Sequence, residues 1–155
     1  MKRERLRFRG SQGGELVGRL ERPEGEASAL VLLVHCFTCS KDLKALGWIS
    51  RALVERGMAV FRFDFTGLGE SEGDFADTNF SSNLEDLALA GDFLRERLEA
   101  PKVLVGHSLG GAAVLAAARR EFPEAGAVAT IGSPYDTEHL GDMLLASAPE
   151  LETSG

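Results

Sequence analysis

Gly106-His107-Ser108-Leu109-Gly110-Gly111 sets a serine hydroxyl between glycines two positions to either side. That pattern suits nucleophilic acyl chemistry. A serine in a sharp, strained strand-to-helix turn has its hydroxyl lifted clear of the backbone, and only small flanking residues let strand and helix come that close. The helix behind it would present unpaired N–H groups and a partial positive charge. The Leu109 N–H is then the natural donor to the oxyanion of a tetrahedral intermediate. The plain alternative is a glycine-rich turn with an incidental serine. A strand pattern before the motif, a helix pattern after it and the extra Gly111 favour the nucleophile, Ser108.

A second oxyanion donor should come from the loop after an earlier central strand. His35-Cys36-Phe37-Thr38 follows the apolar run Ala29–Val34 in that place, and the Phe37 N–H is the expected donor. His35 is read as shaping this loop rather than as a base. Asp64-Phe65-Thr66-Gly67-Leu68-Gly69 ends the next strand. It lacks the lysine and third glycine of a phosphate loop, so it reads as a tight structural loop with Asp64 bonded to backbone groups.

Cys36-Phe37-Thr38-Cys39 opens a second chemistry, because C-x-x-C after a buried strand and before a helix is where a thiol pKa falls. On that reading Cys36 and Cys39 form a redox or regulatory dithiol. No second ligand pair stands at metal-binding spacing, so neither a metal nor any other cofactor is expected.

A hairpin, four further strands and three helices must position these residues. Residues 6–22 alternate and turn at Ser11-Gln12-Gly13-Gly14, which predicts an N-terminal hairpin whose basic first strand lies at an edge. Strands are then expected at Ala29–Val34, Met58–Phe65, Lys102–Gly106 and Ala127–Ser133. Helices are expected around Ala45–Leu53, with Gly57 at its end, from a Ser82/Glu85 capping box to a stop before Pro101, and over Leu109–Phe122. Alternating strands and helices imply an α/β fold: a mostly parallel sheet covered by helices on both faces, here of about six strands. Chemistry in such sheets gathers at the carboxyl ends of the strands, where the motifs above lie.

The chain has 155 residues, of which 44% are hydrophobic, enough for a single domain spanning 1–155. A net charge of −7 without a long basic run argues against nucleic acid or an anionic membrane surface. The longest apolar run falls far short of the roughly 20 residues of a membrane span. A charged start with no apolar signal core makes the cytoplasm the expected location.

Together, residues 35–42, Phe61-Arg62-Phe63-Asp64 through Gly69, 74–83 and Gly106–Gly111 give the chain a resemblance to α/β-hydrolases of the serine aminopeptidase and esterase-like kind. More narrowly, it resembles the hydrolase half of bifunctional proteins that fuse such a domain to an OsmC-type peroxidase domain. The resemblance spans residues 30–135 and implies a Ser108 nucleophile, backbone donors at Phe37 and Leu109, and a small ester or amide substrate. In that fold an acid and then a histidine follow the serine on later strands. Here only His139 follows, and Asp136 is the best-placed acid; both lie in Pro134-Tyr135-Asp136-Thr137-Glu138-His139. They could serve Ser108 only if that segment folded back over it, and surface positions are the simpler reading. The C-terminal part of the family pattern is therefore expected to be missing. That leaves either a weakly active or inactive hydrolase or a non-catalytic scaffold that binds a partner or forms a homodimer.

Overall fold

The structure, a computed structural model, describes residues 1–136. Their sheet has six strands: β1 (Lys2–Arg9), β2 (Glu15–Arg22), β3 (Leu30–Val34), β4 (Ala59–Phe63), β5 (Val103–His107) and β6 (Ala127–Ile131), in the order β1-β2-β4-β3-β5-β6. The hairpin β1–β2 is antiparallel, and β2 runs antiparallel to β4. From β4 through β3 and β5 to β6 every pairing is parallel.

Three helices cover the two faces. The side chains of Val31, Leu33, Val60 and Val105 meet Leu46 and Val54 of α1 (Lys44–Glu55) on one face. On the other, Leu32, Val34, Phe61, Phe63 and Leu104 pack under α2 (Phe80–Arg97) and α3 (Leu109–Glu121). Successive side chains of a strand point to opposite faces, so β3 and β4, covered on both, are buried at every position. The edge strand β1 alternates instead: Leu6 and Phe8 enter the core while its arginines face water. At the far edge every residue of β6 is exposed, Val128 and Ile131 among them.

Local chemistry sets the element ends. Gly57, at φ +83°, terminates α1 in a conformation that favours glycine. The cap of α2 differs from the expected Ser82/Glu85 pair. Asn79 Oδ1 accepts the Ser82 N–H at 2.8 Å, and Ser82 Oγ accepts the Asn79 N–H at 2.9 Å. The box is reciprocal and one turn earlier, because Ser82 is the third residue of the first helical turn rather than the cap.

Candidate active site

Strand β5 runs into α3 through Ser108 alone. Ser108 sits at φ +53° and ψ −124°, and among the described residues it is the only non-glycine with positive φ. Backbone in that region costs a non-glycine residue on the order of 1–3 kcal/mol and persists only where the surroundings over-determine it. They do so here. The Ser108 N–H donates to the Ile131 carbonyl at 2.8 Å, tying the turn to the end of β6, and the Ser108 carbonyl accepts the Gly111 N–H at 2.8 Å.

The glycines are required by contact. A Cβ on Gly106 would lie 2.3 Å from the Gly110 carbonyl oxygen, so strand and helix touch through bare backbone. A Cβ on Gly111 would lie 2.7 Å from Ser133 Cβ, in the segment leaving β6. Leu109 is the first residue of α3, where N–H groups have no acceptor within the helix.

The loop after β3 is the elbow's neighbour, since a Cβ on Gly110 would meet the carbonyl oxygens of His35 and Val34 at 2.4 and 2.7 Å. Phe37 drives its ring into the core, edge-on to Phe65 with centroids 5.3 Å apart and tilted on Phe80. That anchor holds its backbone in place. Cys36 and Cys39 are joined as a disulfide with Cα atoms 5.3 Å apart, and the Cys39 N–H donates to the Cys36 carbonyl at 3.2 Å.

His35 is fully buried and structural, as expected. Its Nδ1 bonds the Cys36 carbonyl oxygen, which requires that nitrogen to carry the proton. Nε2 then presents a lone pair, 3.8 Å from Asp64 Oδ1 and beyond hydrogen-bonding distance. Burial pushes the imidazole pKa down, so the ring is neutral. Neither His35 nor His107 hydrogen-bonds the Ser108 hydroxyl. Asp136 is half-buried beyond β6, and His139 lies outside the described residues.

An ionic cluster that sequence reasoning missed secures the loop. Asp64, fully buried at the end of β4, accepts the Lys41 N–H at 2.7 Å and the Glu70 N–H at 3.0 Å, matching its expected backbone role. Its Oδ2 also accepts from Lys41 Nζ at 2.9 Å, and Lys41 Nζ reaches Asp42 and Glu70. Burial alone would lower the Lys41 pKa; bonds to Asp42, Glu70 and Asp64 outweigh it and hold the ammonium above the usual lysine range. Arg62 Nη1 donates to the Lys41 carbonyl at 2.6 Å, and its Nη2 to Glu21 at 3.0 Å. A lysine-aspartate pair after a polar loop carries the signature of a surface, so only its proximity to the loop could have flagged it.

Comparison with known proteins agrees with this geometry. A family model described as serine aminopeptidase, S33, matches residues 25–146. The crystal structure of the esterase domain of a Rhodothermus marinus protein is 51% identical, with a TM-score of 0.73, over 90% of this chain and 53% of that one. The uncharacterized protein YfhR of Salmonella typhimurium is 36% identical over 99 residues, 62% of this chain and 32% of its own. A mitochondrial palmitoyl-protein thioesterase of Mus musculus is 29% identical over 98 residues, 63% of this chain and 32% of its own. The chain thus spans about a third of the curated relatives it matches. Among the described residues no helix is long and apolar enough to cross a membrane.

Proposed function

Because the chain belongs to the serine aminopeptidase (S33) family of α/β-hydrolases, we propose that it carries the nucleophile of an esterase-like serine hydrolase, Ser108. The observation behind this reading is the positive φ of Ser108 at the β5–α3 turn. Backbone strain concentrated at one residue at the carboxyl end of a strand has a use when that residue's side chain must be presented to a substrate. In the proposed reaction Ser108 Oγ attacks the carbonyl carbon of an ester or amide and gives its proton to a base. The oxyanion takes hydrogen bonds from the Leu109 and Phe37 N–H groups. Collapse expels the alcohol or amine with a proton, leaving an acyl-serine that water hydrolyses.

A base and an acid complete the proposed reaction. His139 and Asp136 are the candidates, and the histidine would have to stand between the serine and the acid, with hydrogen bonds of about 2.6–3.2 Å on both sides. Without a base at the serine, oxyanion donors and binding alone leave about 10³–10⁴-fold catalysis over water. The 155-residue chain is therefore expected to hydrolyse activated esters slowly and to accumulate acyl-enzyme. Incubation with p-nitrophenyl acetate followed by peptide mass spectrometry should find the acetyl group on Ser108. Acetylation spread over lysines, unchanged in Ser108→Ala, contradicts the reading.

A further inference from the structure

The C-x-x-C pair lacks a second ligand pair in sequence, yet the fold brings a third ligand to it. Strand β5 lies beside β3 in parallel register, Val34 opposite Gly106, so the next residue of each strand's exit falls side by side. A ring nitrogen of His107 and the sulfurs of Cys36 and Cys39 all lie within 4.8 Å of one another. His107 Nδ1 is buried with no hydrogen-bond partner among the described residues. Cys36 is buried, while Cys39 and His107 are half-buried, which gives an ion a route in from solvent.

We infer that the reduced chain binds one zinc-class divalent cation through Cys36, Cys39 and His107. A thiol reductant first supplies two electrons and two protons to the Cys36–Cys39 bond and leaves as its own disulfide. The cation then replaces the two thiol protons, which are released, and takes the neutral imidazole as its third ligand. Zinc needs sulfurs at about 2.3 Å and nitrogen at about 2.0–2.1 Å, so tetrahedral ligands stand about 3.5–3.8 Å apart. Reduction lets the two sulfurs part to that separation, and a His107 ring nitrogen already lies within 4.8 Å of both. Two residues between the cysteines is also the spacing at which zinc sites take paired thiolates. The fourth position is open to water. Disulfide and metal exclude each other, so occupancy follows the thiol redox state of the surroundings. This cation site does not depend on Ser108 being a nucleophile.

The test is zinc binding to the whole chain, reduced with dithiothreitol and desalted without oxygen, in competition with a chromophoric chelator. One zinc per reduced chain is expected, with about two protons released on binding, and none on the oxidised chain. Cobalt(II) should give a thiolate charge-transfer band and the absorption of a tetrahedral site. Cys36→Ser, Cys39→Ser and His107→Ala should each weaken binding by more than the about 10–100-fold that loss of an outer partner costs a metal site. No zinc on the reduced parent, or equal binding by the oxidised chain, overturns the inference whatever the variants do. So does a His107→Ala chain of unchanged circular dichroism that binds as tightly as the parent.

Discussion

Gly110 sits so close to His35 that a Cβ on it would lie 2.4 Å from the His35 carbonyl oxygen. The first turn of α3, which begins at Leu109 directly after Ser108, is thereby pressed onto the loop that carries Phe37. The N–H groups of Phe37 and Leu109, the proposed oxyanion donors, lie on these two segments, which come together because Gly110 lacks a side chain. Gly110→Ala is expected to force the loop outward at a cost of about 1–3 kcal/mol, as overpacking does. Urea denaturation checks the stability. A variant as stable as the parent would mean that the loop yields freely and the spacing is not held.

Ser108→Gly makes the opposite prediction. Glycine adopts the Ser108 conformation without a Cβ penalty, whereas alanine keeps it. Ser108→Gly should therefore be more stable than Ser108→Ala by about 1 kcal/mol or more, while both lose acylation. Equal denaturation midpoints would show that the turn holds no strain.

Lys41→Met removes the ammonium from a carboxylate that stays buried. Asp64 keeps two backbone N–H bonds but loses its counter-ion. Breaking a buried pair from one side costs about 3–5 kcal/mol, and this variant should fall at or a little below that range because those bonds remain. Thermal and urea unfolding measure it; a loss under about 1 kcal/mol, the worth of an exposed pair, would place Lys41 in solvent.

Glu21 supplies a pH dependence. Burial raises its pKa, but Ser50, Arg62 and Arg3 outweigh that and hold the carboxyl below its ordinary value of 4.5. The folded pKa is the lower one, so its contribution is present above 4.5 and drains away as pH falls through the folded value. Glu21→Gln should reduce stability near neutrality and flatten the acid limb of a stability–pH curve. An acid limb as steep as the parent's would assign the effect to other groups.

Much of this was legible in sequence wherever one local rule decided. The unbroken apolar run Ala29–Val34 fits a strand covered on both faces, and Leu6 and Phe8 alternating with arginines fit an edge strand; the structure has both. Gly106 and Gly110 announced the elbow because their spacing is set by backbone contact. The α2 cap was misplaced because Asn79 and Ser82 satisfy each other, and either could have been taken as the cap. Lys41 and Asp64 read as polar loop residues, since burial of a charged pair is a tertiary event. His107 could not be joined to Cys36 and Cys39 until β5 was known to lie beside β3.

The most direct test of the central claim is reaction of the chain with a fluorophosphonate, which phosphonylates an activated serine, followed by peptide mapping. One adduct per chain on Ser108, absent from Ser108→Ala and slowed in Gly110→Ala, is the predicted result. An unlabelled Ser108, or an adduct on another residue that persists in Ser108→Ala, would contradict it.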